Sequence, residues 1–491
     1  MNRIMSFTGI LCLIITLITL PVTSTFAQWD NSPGQPGVTS TGWPRAAYAN
    51  SDYLYLGGNF TEINGVQANR IVRFDGSAWE TIGDGLASDG ILIFEYDYGD
   101  GPVLHASALM NGLFRWDGET WVNAGITGAG VVSSWAVYDN GTGPTLYVGG
   151  NFTRASDRNA NRIVRWNAET SQWDAIGSGV NGPVSTMAVW DDGSGEALYL
   201  GGNFTTSGGV STPYVSRLRG DVFEDVGGGM ATGTSGLNIP AIKSLVVWDD
   251  GSGEKLYAGG QFGEAGGVEA RFMAAWDGNA WAPVGGGFSA PVEALVISGG
   301  QNGDFLYAGG QFASVVPSIA VNRIVRWDGE HWQRLFRADS LAYGTAGFVN
   351  AMADWTTADD RVLVVGGQFF NVSDLPANRV AFYREQAMGA GGTVSIDEQG
   401  SVIPDVFTLF QNYPNPFNPS TTIRYRIAEA AYVTLDVMDI TGRHVARLVD
   451  QGMQPGEYSA TLNAVNLSSG IYLYRIRAGS FTSTLKMALV K

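Results

Sequence analysis

The sequence is poor in the residues that most often carry redox, metal or acid–base chemistry. Among 491 residues there is one cysteine, Cys12, and there are three histidines, His105, His331 and His444. Cys12 lies in an N-terminal segment that we expect to be removed, so the mature chain would have no disulfide, no thiolate metal ligand and no cysteine nucleophile. The histidines fall in different repeats or modules and predict no shared catalytic or metal centre.

The first 27 residues have the features of a secretory signal peptide. Arg3 supplies a positive start, residues 10–22 are apolar, and the small residue Ala27 ends the segment just before Gln28. The alternative is a membrane anchor, but an apolar run of about 13 residues is too short to span roughly 30 Å of hydrocarbon. We therefore expect export, cleavage after residue 27 and no transmembrane segment in the mature protein.

Positive charge is also scarce. The formal net charge is −17, and residues 28–404 carry 20 basic against 40 acidic residues. Such a surface repels phosphate backbones, so we expect no nucleic-acid partner. The 67 glycines and 18 prolines indicate a chain dense in turns and therefore an all-β fold.

The most prominent feature of the sequence is a repeated motif, Leu-Tyr-x-Gly-Gly-[Asn/Gln]-Phe. Its glycine pairs stand at Gly57-Gly58, Gly149-Gly150, Gly201-Gly202, Gly259-Gly260, Gly309-Gly310 and Gly366-Gly367. The first gap is about twice the others, so a degenerate copy is expected at residues 103–108, followed by 112–118. Seven repeats of this length, each with several short strands, predict a β-propeller.

Turn chemistry divides each repeat into four strands. An apolar first strand and the Leu-Tyr second strand are joined by acidic turns such as residues 191–196 and 249–254. A longer polar loop leads to an alternating third strand, as at 161–166. The hairpin Asp-Gly-x-x-Trp then joins it to a fourth strand that begins with an aromatic residue.

This strand pattern resembles the kelch-type propeller repeat over residues 28–386, and it is similar to secreted propellers that include fungal cortical marker ectodomains. The fold class implied is a seven-bladed β-propeller with four-stranded blades, followed by a small Ig-like β-sandwich. Propellers host many functions, so the resemblance specifies a fold rather than an activity.

The last repeat has no fourth strand of its own. Gln28-Trp29-Asp30 repeats the letters of Gln172-Trp173-Asp174, so we expect the mature N-terminus to supply the outer strand of the last blade and close the ring. The alternative is that residues 386–395 form that strand.

After a linker at 387–404, residues 405–491 predict several short strands and a β-sandwich. The string Gln-Asn-Tyr-Pro-Asn-Pro-Phe-Asn-Pro at 411–419 and the segments 439–443, 469–472 and 486–491 resemble a type A sorting domain of the type IX secretion system. The resemblance implies the secretion machinery as partner, a secreted or surface-attached location, and Lys486, Met487 and Lys491 as part of the sorting signal. The alternative is a plain Ig-like accessory module.

Few residues suggest a ligand site. The acidic turns are interpreted as hairpin turns or, alternatively, as calcium sites, because each offers several carboxylates and carbonyls. The irregular loops between strands two and three and between blades predict a binding face, with Phe336, Arg337, Asp339 and Tyr343 as its richest cluster. The recurring Asn-Arg pairs are interpreted as contacts between blades.

We therefore predict a non-enzymatic binding or adhesion module for a glycan or a surface protein, with no cofactor. The alternatives are a carbohydrate-active hydrolase or lyase with carboxylates in the propeller funnel, and a structural protein without a small ligand. Two carboxyl groups about 5–10 Å apart in a concave site would favour hydrolysis.

Overall fold

The computed structural model describes part of the chain in enough detail to assign structure. The described residues are 28–30, 37–38, 41–126, 130–233, 239–300, 303–316, 319–335, 343–356, 361–373, 375–384, 394–396, 402–404, 407–409, 412, 415, 417–427, 430–440, 443–453, 456–465, 467–479 and 481–490. The predicted signal peptide lies outside them.

Seven four-stranded antiparallel sheets occupy the described part of residues 28–384, and we number them I to VII. The strands of sheets I to IV are, in chain order within each sheet, Pro44–Ala49, Leu54–Gly58, Ile71–Phe74 and Trp79–Thr81; Gly90–Asp97, Pro102–Ala108, Gly112–Trp116 and Trp121–Ile126; Val132–Asp139, Pro144–Gly150, Ile163–Asn167 and Gln172–Ala175; Val184–Asp191, Glu196–Gly202, Val215–Arg219 and Val222–Asp225.

Sheets V to VII repeat the same arrangement. Their strands are Ala241–Asp249, Glu254–Gln261, Met273–Trp276 and Trp281–Pro283; Val292–Gly300, Gly303–Gly310, Ile324–Trp327 and Trp332–Gln333; Val349–Thr356, Arg361–Gly367, Val380–Arg384 and, from the N-terminus, Gln28–Asp30. The degenerate repeat expected at 103–108 is thus confirmed as the second strand of sheet II.

The sheets are arranged around a common axis as in a propeller. The first strand of each sheet contacts the first strands of the sheets before and after it, and the first strand of sheet VII contacts that of sheet I. Hydrophobic clusters lie between neighbouring sheets, and one of them joins Leu54 and Trp79 of sheet I to Trp355 and Phe382 of sheet VII. No single sheet could bury both of its faces, so the packing of neighbours forms the core.

The N-terminal strand completes sheet VII, as predicted. Gln28, Trp29 and Asp30 lie opposite Arg384, Tyr383 and Phe382 in antiparallel register. Trp29 is 1% exposed, and its indole Nε1 donates a hydrogen bond to the Leu335 carbonyl. The alternative strand at 386–395 is therefore wrong, because the N-terminal strand occupies that edge.

Small two-stranded hairpins occupy the loops between the second and third strands of six sheets. They consist of Glu62–Ile63 with Val66–Gln67, Arg154–Ala155 with Arg158–Asn159, Thr206–Ser207 with Val210–Ser211, Glu264–Ala265 with Val268–Glu269, Ser314–Val315 with Ile319–Ala320, and Asn371–Val372 with Leu375–Pro376. A further strand, Met230–Ala231, pairs with the fourth of these hairpins. The sequence predicted only polar loops here.

The C-terminal region forms two antiparallel sheets that share one hydrophobic core. The three-stranded sheet contains Thr408–Leu409, Ser420–Ile427 and Gly456–Asn463, and the four-stranded sheet contains Ala431–Asp439, His444–Met453, Gly470–Ala478 and Phe481–Leu489. A short hairpin of Val394–Ile396 and Val402–Pro404 lies within the segment interpreted as a linker. No helix long and apolar enough to cross a membrane is found among the described residues.

Candidate functional site

The hairpins and the links between consecutive sheets share one face of the propeller, which we call the hairpin face. In sheets I, IV, V, VI and VII the link pairs with the hairpin of the sheet it enters, as between Val180 and Ser207 or between Phe288 and Val315. The acidic turns and the Asp-Gly-x-x-Trp hairpins lie at the other ends of the strands, and we call that side the turn face. The expectation that the two kinds of irregular loop lie together is confirmed by this pairing.

Every first strand has a β-bulge near its start, at the end of the strand that lies on the hairpin face. The register of each first strand slips by one residue against the second strand, at positions Arg45, Ile91, Ser133, Ser185, Lys243, Glu293 and Asn350. A bulged residue has no direct cross-strand partner, and bulges commonly aim a side chain away from the sheet. The seven bulges thus form a ring of backbone features that carries six different residue types, with serine in both sheet III and sheet IV.

Amide side chains accompany this ring. The residue after each glycine pair is Asn59, Asn151, Asn203, Gln261, Gln311 or Gln368. Gln311 Nε2 donates to Glu293 Oε1 at 2.6 Å, and Gln368 Nε2 donates to Asn350 Oδ1 at 3.3 Å, so the amides lie beside the bulged residues. Lys243 is exposed. The mouth of the ring therefore combines amides, hydroxyls and charges of both signs.

Of the predicted ligand cluster, only Tyr343 lies within the described residues; Phe336, Arg337 and Asp339 lie outside them. Tyr343 is half-buried, the Arg334 guanidinium lies 4.6 Å from its ring centroid, and its carbonyl accepts a hydrogen bond from Asn322 Nδ2 at 3.3 Å. It sits on the link from sheet VI to sheet VII, on the hairpin face. Its role in binding remains a prediction.

Sheet II departs from the hairpin pattern. Its second and third strands are joined by a short turn instead of a two-stranded hairpin, and Leu109 and Met110 in that turn are 36% and 61% exposed. Met110 has a φ of 60°. The hairpin face therefore has a gap at sheet II, bordered by two apolar side chains.

The recurring arginines serve contacts between sheets, as the sequence predicted. Arg70 Nη1 donates to the Leu86 carbonyl at 3.0 Å, Arg162 Nη1 to Val180 at 3.0 Å, and Arg379 Nη1 to Val38 at 2.9 Å. Each acceptor lies on the link to the next sheet. These guanidinium groups therefore hold the links and do not form an anion-binding ring.

The acidic turns have the bonding of hairpin turns. Asp191 Oδ1 accepts hydrogen bonds from the amides of Gly193 and Gly195 at 2.9 and 2.8 Å, and Asp97, Asp139 and Asp249 each accept the same two bonds. A calcium ion would compete for the same carboxylate oxygen. Within the described residues no group of three or more His, Cys, Asp or Glu side chains could hold a metal ion.

His105 is buried between sheets II and III. Its Nδ1 lies 2.8 Å from the Val103 carbonyl, its Nε2 lies 3.0 Å from the Tyr98 hydroxyl, and its ring stacks on Phe94. Burial lowers the pKa of His105 to about 4, so the ring is neutral near pH 7. His331 and His444 lie elsewhere, in an outer hairpin of sheet VI and in the C-terminal region.

The predicted sorting residues lie on the last strand of the C-terminal region. Met487 is fully buried opposite Tyr472, and Lys486 is exposed opposite Leu473. Lys491 lies outside the described residues. Burial of Met487 beside the exposed Lys486 is expected for a strand with one face on a shared core, and the sorting role of these residues remains a prediction.

Comparison with known families agrees with both halves of the chain. Residues 411–491 match the model described as the secretion system C-terminal sorting domain. Residues 117–289 match the Rax2 C-terminal beta propeller domain, and residues 54–77 match a beta-propeller domain of unknown function, DUF5122.

Individual relatives are distant. Polarized growth protein L1 of Phoma sp. (strain ATCC 20986 / MF5453) is 24% identical over 116 residues, which is 24% of this chain and 8% of that protein. PorZ of Porphyromonas gingivalis, described as an essential surface component of the type IX secretion system, is 13% identical, with a TM-score of 0.38 over 91% of this chain and 59% of that chain. Raptor of Chaetomium thermophilum is 10% identical, with a TM-score of 0.41 over 74% of this chain and 29% of that chain.

The fold and the family matches define a kelch-like β-propeller protein. More particularly, it is a propeller that ends in a sorting domain of the type IX secretion system, and it is therefore secreted to the cell surface or beyond.

Proposed function

We propose that this protein is a seven-bladed, non-enzymatic binding module that recognises a glycan or a surface protein through its hairpin face. The observation that carries the proposal is the ring of seven bulges, in which a repeated backbone feature presents six different residue types at seven positions. Elsewhere in the sheets, recurrent positions serve packing, as do the arginines before the third strands, which donate hydrogen bonds to the links. Varied side chains on a rigid, repeated scaffold are typical of binding surfaces.

The chemistry of the ring suits a polyhydroxylated or polar partner. Amide and hydroxyl groups both donate and accept hydrogen bonds, as a sugar hydroxyl requires. Lys243 and Glu293 add one charge of each sign at neighbouring sheets, V and VI. An apolar border of Leu109 and Met110 at sheet II would contact the less polar part of a ligand.

The test is binding of the mature secreted protein to an array of bacterial and host glycans, together with a protein overlay of the cell envelope. We expect at least one retained ligand class, and a roughly tenfold or larger loss of affinity in the double variant Lys243→Ala/Glu293→Ala, because hydrogen bonds to charged groups are lost.

The matched control is Glu119→Ala, which removes an exposed carboxylate from a hairpin on the turn face. Binding unaffected by the double variant but lost in the control would contradict the assignment of the face. Turnover of a retained glycan would instead favour the hydrolase or lyase alternative.

A further inference from the structure

A tyrosine and an arginine face each other across the second and third strands of most sheets. The cross-strand pairs are Tyr55 with Arg73, Tyr147 with Arg165, Tyr199 with Arg217 and Tyr307 with Arg326. In sheet II, His105 faces Arg115. Five of the seven sheets thus place an arginine at this position, and in sheet VII Val364 faces Phe382 there.

The outer strand adds a polar partner to the arginine in most of these sheets. Arg73 lies opposite Glu80, Arg165 opposite Asp174, Arg217 opposite Glu224 and Arg326 opposite Gln333. Arg217 Nε donates to Glu224 Oε2 at 2.7 Å, and Arg326 Nε donates to Gln333 Oε1 at 2.8 Å. The guanidinium therefore fills a fixed space beside the tyrosine on the turn face.

Sheet V lacks both the arginine and its polar partner on the outer strand, although it keeps the tyrosine. Tyr257 lies opposite Ala275, and Ala275 lies opposite Ala282. A cleft of about 300 Å³ occupies this place, bounded by Tyr257, Ala275, Ala282, Trp327 of sheet VI, and the acidic residues Asp250 and Asp277. The volume left by the two small side chains is thus where other sheets keep an arginine.

The polar wall of the cleft is otherwise preserved. Tyr257 donates its hydroxyl hydrogen to Asp250 Oδ2 at 2.9 Å, and Tyr199 makes the same 2.9 Å bond to Asp192 Oδ2 in sheet IV. Asp192 is paired with the guanidinium groups of both Arg217 and Arg219. Asp250 is paired with one cation, Lys255, at 2.6 Å. An aspartate at this position accommodates two cations, and Asp250 has one.

The formal charges give the same result. In sheet IV the equivalent set is Asp192, Arg217, Arg219 and Glu224, which sums to zero. In sheet V the set is Asp250, Lys255 and Asp277, and it carries one net negative charge. Asp277 belongs to this set because it occupies the position in sheet V that Arg219 occupies in sheet IV, at the end of the third strand. Backbone hydrogen bonds from Ala280 and Asn279 lower the pKa of Asp277, so its carboxylate is ionised at neutral pH.

We propose that the cleft between sheets V and VI binds a guanidinium group, presented by an arginine side chain of an extracellular protein or peptide. The guest cation occupies the place of the missing arginine, neutralises the set of charges, and lies between the rings of Tyr257 and Trp327. Guanidinium favours this site over ammonium because it is planar, stacks on aromatic faces and binds carboxylates through two hydrogen bonds. The site is on the turn face and is independent of the hairpin-face proposal.

The test titrates the mature protein with N-acetyl-arginine amide and, separately, with the citrulline analogue, which has the same shape without the charge. We expect one equivalent of the arginine probe to bind, at least about tenfold more tightly than citrulline, because charge-assisted hydrogen bonds are roughly twice as strong as neutral ones. Equal binding of the two probes, or binding of neutral sugars in place of arginine, would overturn the proposal.

Two variants keep the outcome specific. Ala275→Arg/Ala282→Glu restores the pair that sheets I and IV carry, so it is compatible with the fold, and it should weaken arginine binding at least tenfold. Arg217→Ala opens the corresponding space in sheet IV and leaves Asp192, Arg219 and Glu224 with one net negative charge, so it should raise the stoichiometry from one to two. If Ala275→Arg/Ala282→Glu binds the arginine probe with unchanged affinity, the proposal is wrong, whatever the second variant shows.

The hairpin-face variant Lys243→Ala/Glu293→Ala serves as the control that separates the two proposals. It should leave arginine binding unchanged, since both residues lie at the opposite ends of their strands. Loss of arginine binding in this variant would place the guanidinium site on the hairpin face and contradict the assignment to the cleft.

Discussion

His105 illustrates how one buried titratable residue affects the stability of the whole ring. Both of its ring nitrogens have partners, and Phe94 stacks on it. Protonation would place a charge among the aromatic side chains of sheets II and III, including Trp135 and Trp166. Because burial lowers the pKa of His105 to about 4 from its ordinary value of 6.5, the unfolded chain binds this proton more readily.

We therefore expect the stability contributed by His105 to be complete above pH 6.5 and to fall as the pH drops to about 4. The loss should be about 3 kcal/mol in the free energy of unfolding. The measurement is chemical denaturation of the wild type and of His105→Gln across this range, and the difference between the two curves isolates the histidine. A pH-independent difference would contradict a neutral, buried His105.

The glycine pairs show what residue patterns do predict. The sequence predicted that these glycines serve the conformation and packing of the backbone, and the structure shows why glycine is needed at Gly149 and Gly150. A Cβ on Gly149 would press on Met187 of sheet IV, and a Cβ on Gly150 would overlap the Val131 carbonyl. The first glycine thus permits close packing between sheets, and the second permits close approach within one sheet. The pattern revealed the need for glycine but not the two different partners.

At the scale of the strand, outer tryptophans tie four of the sheets, II, III, V and VII, to the sheet before each of them. The indole Nε1 of Trp121 donates to the Ile82 carbonyl, Trp173 to Ala124, Trp281 to Val226 and Trp29 to Leu335. Each acceptor belongs to the end of the preceding sheet. Trp29 fits this series only if the N-terminal strand is the outer strand of sheet VII.

Replacing Trp29 by alanine should therefore cost as much as replacing an internal equivalent. We expect Trp29→Ala to lower the free energy of unfolding by about 3–5 kcal/mol, since a buried aromatic side chain and its hydrogen bond are lost. Trp281→Ala, which removes a 5% exposed tryptophan with the same bond, is the matched control. A nearly neutral Trp29→Ala beside a destabilising Trp281→Ala would argue that the N-terminal strand is not part of the core.

The elements that the sequence predicted well are those with a strict period or a marked turn. The second strands, the third strands and the Asp-Gly-x-x-Trp hairpins all follow from such patterns, and the N-terminal strand followed from its likeness to Gln172–Ala175. The six small hairpins were missed because two-residue strands have no period to detect. Ser420–Ile427 and His444–Met453 were missed as well, although Ser420–Ile427 alternates buried and exposed residues along its length.

At the scale of the whole molecule, the sorting domain and the propeller have separate tasks. The C-terminal sheets have their own core, and the match to the sorting domain begins at residue 411. Deletion of residues 405–491 should leave a folded propeller in the periplasm, with the secreted fraction falling from most of the protein to almost none. Immunoblotting of culture medium, cell surface and periplasm in a host with a type IX system measures this directly.

The control joins residues 405–491 to an unrelated, monomeric carrier with a signal peptide. The carrier should appear outside the cell. Secretion of the truncated propeller at the normal level would contradict a sorting role for the tail.

The candidate sites are formed by residues that are distant in the sequence, and the sequence alone does not show which of them lie together. Tyr343 was placed correctly on the hairpin face, because loop topology in a propeller is fixed. The cleft beside Ala275 was missed, since it requires Trp327 of the next sheet and the loss of an arginine to be seen together. Aligning the repeats on the residue facing each Leu-Tyr tyrosine would have revealed Ala275 as the exception.

Closure of the ring by the N-terminal strand can be tested directly, because the single cysteine of the chain, Cys12, lies in the predicted signal peptide. In Gln28→Cys/Arg384→Cys, two facing residues of an antiparallel pair become the only cysteines after signal removal, and their Cα separation suits a disulfide. After oxidation and limited proteolysis, mass spectrometry should find the N-terminal peptide covalently joined to the peptide containing residue 384, and Gln28→Cys/Glu119→Cys should give no such product. Free thiols at both positions under the same oxidation would contradict the closed ring.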